Sequence, residues 1–60
     1  MTQTDFTLAL EQELQLRGIG FSRAEVLDFA ASVWPLTEEN PDVTCWAREF
    51  LQAGYGSVSA

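Results

Sequence analysis

Apolar residues recur along this chain in three clusters, each with its own rhythm. From Val26 they fall at Val26, Phe29, Ala30, Val33 and Trp34, the i, i+3, i+4, i+7, i+8 spacing of one helical face. The signals at either end agree with that spacing. Ser22 and Glu25 are placed as a capping box, and Phe21 and Val26 as a hydrophobic staple. Pro35 lacks an amide hydrogen and disfavours helical geometry at the residue before it, so it stops the helix. A helix over 23–34 is predicted, with Leu27 widening its stripe until it touches both neighbours.

The last cluster, Val43, Trp46, Ala47, Phe50 and Leu51, marks one face of a second helix, over 41–53. Asn40 is suited to cap it, Pro41 to occupy its first position, and Gly54 to end it in the left-handed conformation. Leu36 to Glu39 reads as a short connector. Residues 54–60 read as a short mobile tail, with Tyr55 placed to fold back.

The first cluster is ambiguous. Phe6, Leu8, Leu10, Leu14 and Leu16 recur at every second position except for Gln12, and alternation belongs to strands. Composition points the other way. Leu, Ala, Glu and Gln favour helices, no β-branched residue stands between Leu8 and Gly18, and a lone strand has nothing to pair with. Thr2 or Thr4 can cap a helix over 5–17, and Gly18 can end it. At 100° per residue Phe6, Leu10 and Leu14 then form one stripe, and Leu8, Gln12 and Leu16 another nearly opposite it. A single thin core cannot receive both.

The predicted architecture is therefore all-α, a small three-helix bundle forming one domain over 1–60. At 60 residues such a domain buries only about 60% of its unfolded surface. Its stability is expected to be about 3–9 kcal/mol. Its single cysteine forms no internal disulfide, and the absence of histidine removes the Cys/His zinc sites. Helix packing has to hold the domain together, with self-association as the natural reinforcement.

Charge narrows the functional classes. Nine acidic residues stand against three arginines and no lysine, a net charge of −6. Phosphate backbones and anionic membranes need cations that this chain lacks, so neither nucleic acid nor membrane is an expected partner. No apolar run approaches the span of a bilayer, and residues 1–7 carry Asp5 and no cation, unlike a signal peptide. A cytoplasmic setting is expected.

Catalysis is not expected either. General bases of the commonest kinds are missing without histidine and lysine. Neighbouring carboxylates such as Glu11 and Glu13 point apart on a helix, and Glu38 to Asp42 does not follow a calcium-loop pattern. Gly18-Ile19-Gly20 lacks the rest of a dinucleotide fingerprint. No cofactor, metal or small-molecule substrate is implied. Cys45 falls on the polar side of the last helix with Arg48 three residues on, and is expected as an at least partly exposed thiol.

What remains is contact with protein. Leu8, Gln12 and Leu16 are the candidate partner-binding residues, facing either another protein or a second copy of the chain. The expected role is a small acidic interaction module: regulator, adaptor or subunit. The alternative is an acidic mimic of nucleic acid that inhibits a basic partner.

Overall fold

Thr2 starts the first helix. Its Oγ1 accepts a hydrogen bond from the Asp5 amide at 3.1 Å, and the Asp5 carboxylate accepts one from the Thr2 amide at 3.4 Å, a capping box closed by aspartate. The computed structural model describes residues 2–58. Helix α1 spans Gln3–Leu16, and Phe6, Leu10 and Leu14 along it are fully buried. Gly18, at φ +70°, reverses the chain and donates its N–H to the Gln15 carbonyl. The strand-like alternation gives way to helix, as composition predicts.

A two-residue strand, β1 (Ile19–Gly20), leads into α2 (Arg23–Val33). The predicted capping box opens α2: Ser22 Oγ accepts from the Glu25 amide, and Glu25 Oε1 accepts from the Ser22 amide at 3.0 Å. Val26, Phe29 and Ala30 are buried. Pro35 ends the α-helix, and the chain continues as a 3-10 helix over Trp34–Glu38, where Thr37 Oγ1 donates to the Trp34 carbonyl.

Helix α3 spans Val43–Gln52, two residues later than the sequence suggests. The cap is Asp42, whose Oδ1 accepts from the Thr44 amide, and not Asn40. Asn40 stands outside the helix: its Oδ1 accepts from the Asp42 amide, and its carbonyl accepts from Trp46 Nε1 at 2.6 Å. Pro41 therefore precedes the helix and does not begin it.

The core is built from Phe6, Leu10, Leu14, Ile19, Val26, Phe29, Ala30, Ala47 and Phe50. Helix α1 is its hub, packing closely on both α2 and α3. Helices α2 and α3 meet mainly through aromatic side chains, with Phe29 edge-on to Phe50 at 5.3 Å and to Trp46 at 6.4 Å between centroids. Leu27 does not bridge the helices; it is 50% exposed. At 100° from Val26 it sits at the rim of the buried stripe.

The expected tail also differs through Val58. Gly54 takes φ +93° and its N–H reaches the Leu51 carbonyl, while the Tyr55 N–H reaches the Phe50 carbonyl. This is the paired bonding of a Schellman motif, with its apolar contact supplied by the Tyr55 ring stacked on Phe50 at 5.2 Å. The motif turns the chain back, and β2 (Ser57–Val58) pairs antiparallel with β1, Ile19 opposite Val58 and Gly20 opposite Ser57. The rest of the predicted tail, residues 59–60, lies outside the described residues.

Candidate functional site

Each turn of α1 places apolar side chains on two sides, and only one side has a core to enter. Phe6, Leu10 and Leu14 are fully buried, whereas Leu8 is 52% and Leu16 83% exposed. Gln12 between them is exposed as well. Leu16 is not tucked beneath the loop that follows α1.

The three residues do not act as one stripe. Leu16 lies two turns beyond Leu8, about 12 Å along the helix axis and past the groove that Leu8 lines. Leu8 instead faces across to α2, where Leu27 joins it in lining an open groove of about 280 Å³ with Gln3, Thr4, Thr7, Glu11 and Arg23. Gln12 lines the adjoining hollow beside Leu8, Glu11 and Arg23. Leu16 lines neither. The structure thus brings Leu8 and Gln12 together, adds Leu27 and Arg23, and leaves Leu16 apart. Leu27 was legible as an apolar residue at a stripe's edge, but the pairing with Leu8 depends on how α1 and α2 cross.

Three polar side chains of the groove, Thr7, Glu11 and Arg23, are engaged within the chain. Thr7 Oγ1 donates to the Gln3 carbonyl at 2.8 Å. The Glu11 side chain, only 13% exposed, lies 3.5 Å from Arg23 Nε, whose own side chain projects well into solvent. A long ion pair with one exposed partner contributes little stability. The groove therefore offers shape, two leucines and charge of both signs, without a nucleophile or an aligned acid–base pair. Among the described residues no group of three His, Cys, Asp or Glu is placed to hold a metal ion, and no helix is long and apolar enough to cross a membrane.

Comparison with protein-family models, curated proteins and solved structures finds no match for this chain. The site has to be read from its own geometry.

The acidic residues are mostly engaged within the chain. Asp5 and Glu25 close capping boxes, Asp42 caps α3, and Glu13 and Glu11 pair with Arg17 and Arg23. Asp28 accepts the Tyr55 hydroxyl at 2.6 Å. The carboxylates of Glu38, Glu39 and Glu49 make no hydrogen bond or ion pair among the described residues. The carboxylates thus serve helix starts and local pairs on separate elements.

Cys45 is half-buried on α3, a partly exposed thiol as expected. The residues Val43, Trp46 and Leu51 packed against the core on the same helix draw its flank partly inward.

Proposed function

We propose that this chain is a small acidic protein–protein interaction module without catalytic activity, using the α1–α2 groove around Leu8, Gln12 and Leu27 as its contact surface. The observation that carries the reading is the pair of half-exposed leucines facing each other across that groove. Single exposed leucines are ordinary, whereas two that share a concave, polar-rimmed site mark a contact region.

A second copy of the chain is the simplest occupant. An isologous contact needs a patch that complements itself, and here Glu11 and Arg23 set both charge signs beside the leucines. A thin core also gains from a further apolar layer. A cytoplasmic setting accompanies this reading, in keeping with one unpaired cysteine.

Acidic mimicry of nucleic acid draws less support, because a mimic needs free carboxylates and most of these are occupied as caps or pairs. Size exclusion with light scattering tests the self-association version. A dimer mass at high micromolar concentration is expected, reverting to monomer in Leu8→Asp/Leu27→Asp with helical signal retained. A wild-type monomer throughout that range would sink it.

A further inference from the structure

The C-terminal strap is tied down by carboxylates of a different helix. Glu25 Oε2 accepts from the Gly56 amide at 2.9 Å while its Oε1 serves Ser22. One turn further along α2, Asp28 accepts from Tyr55 Oη. Beneath these two ties the Tyr55 ring covers Phe50 and stands edge-on to Phe29, and Gly56 lies directly on Phe50 and Ile19. Positive-φ glycines, Gly54 and Gly56, flank Tyr55 on either side.

We propose that the strap, residues 55–58, is an acid-released latch: the Glu25 carboxylate holds it closed, and protonation of Glu25 lets it lift from the Phe29–Phe50 surface while the three helices stay folded. The chemistry follows from the acceptor count. Both oxygens of Glu25 are in use, one towards Ser22 and one towards Gly56. A proton on either oxygen turns an acceptor into a donor, and the neutral carboxyl is a weaker acceptor at the other.

The Gly56 and Ser22 amides hold the Glu25 carboxyl below its ordinary value. A depressed carboxylate stabilises the closed form above its unfolded pKa, and this contribution is lost as pH falls through the folded value, which lies below the ordinary glutamate range. Tyr55 behaves oppositely. Its bond to Asp28 raises the phenol above its ordinary value, so the proton that Tyr55 donates is held below about pH 10 and is lost only as pH rises further. The latch is closed between those limits.

The titratable groups facing the strap are thus Glu25 and Asp28 from α2 and Tyr55 itself. Strand β1 contributes Ile19 and Gly20, which do not titrate, and Arg48 and Glu49 on α3 make no hydrogen bond or ion pair to it. Helix α2 keeps its start when Glu25 is neutral, because the Glu25 amide still donates to Ser22 Oγ. The buried core cluster contains no strap residue; Tyr55 packs against it from the rim.

An NMR titration from pH 7 to pH 2, with helical ellipticity followed in parallel, tests the latch. The Gly56 amide resonance is expected to move with an inflection below the ordinary glutamate value. Cross-strand contacts between the Gly20 and Ser57 backbones should fade over the same interval, with ellipticity retained. In Glu25→Gln that inflection should vanish, and Gly56 amide exchange at pH 6 should rise about three- to tenfold, the scale of replacing a charged acceptor by a neutral one. Three results overturn the latch. They are a flat Gly56 resonance in the wild type, loss of strap and helices in a single transition, and an unchanged inflection in Glu25→Gln. The wild-type titration decides the matter even if the variant fails to fold.

Discussion

Two apolar surfaces on this small protein meet different fates. The aromatic surface of Phe29 and Phe50 is covered by the chain's own strap, through a Schellman turn, a stacked tyrosine and two carboxylate ties. The leucine surface of Leu8 and Leu27 is left open, although the Thr7 hydroxyl beside it is satisfied within the helix. Four residues cover one surface while the other stays bare, and the bare one is the contact surface we propose.

The comparison can be broken hardest from inside. Phe50→Ala removes the ring that receives both Tyr55 and Phe29, and the expected cost is about 3–5 kcal/mol. That is most of the stability of a domain this size, so the midpoint of chemical unfolding should fall sharply. On α1 the same contrast can be run within one helix. Leu14→Ala should cost about 2–5 kcal/mol, while Leu16→Ala, two residues away but 83% exposed, should stay within about 0.5 kcal/mol.

Gly56→Ala strikes the strap alone. A Cβ there meets the Gly20 carbonyl and Phe50 Cε2 at 2.8 Å each, in a φ of +65° that side chains resist. Strain and overpacking together cost about 1–3 kcal/mol. The expected outcome is loss of the β1–β2 pairing, seen as faster exchange at Ser57, with helical ellipticity kept.

Ser22→Ala removes the hydroxyl that accepts from the Glu25 amide, for about 1 kcal/mol, and should appear as a small drop in the unfolding midpoint. Leu8→Ser should change stability least of all, by about 0.5 kcal/mol or less. Its effect belongs in self-association, read by light scattering. If Leu8→Ser were as damaging as Leu14→Ala, the two sides of α1 would not differ as described.

How much of this was legible in the sequence follows from distance along the chain. The capping box of Ser22 and Glu25, the three apolar stripes and the Gly18 and Gly54 turns involve residues within a few positions of each other, and each appears where expected. The α3 cap was misread because Asn40 and Asp42 are both good caps, and the choice was decided by Trp46 reaching back to the Asn40 carbonyl. The strap was legible only as far as Tyr55 folding back. Its ties join Tyr55 to Asp28 and Gly56 to Glu25, about half the chain apart, and no local pattern announces them. The candidate site was half legible: periodicity exposed Leu8 and Gln12, whereas Leu27 joined them only once α2 crossed α1.

The most direct measurement is a dilution series of amide NMR spectra on the intact protein. Concentration-dependent shifts should cluster at Leu8, Glu11, Gln12, Arg23 and Leu27, with Ile19, Phe50 and Gly56 unmoved. Shifts centred on the strap and Phe50, or none up to high micromolar concentration, would contradict the assignment of the open groove as the contact surface.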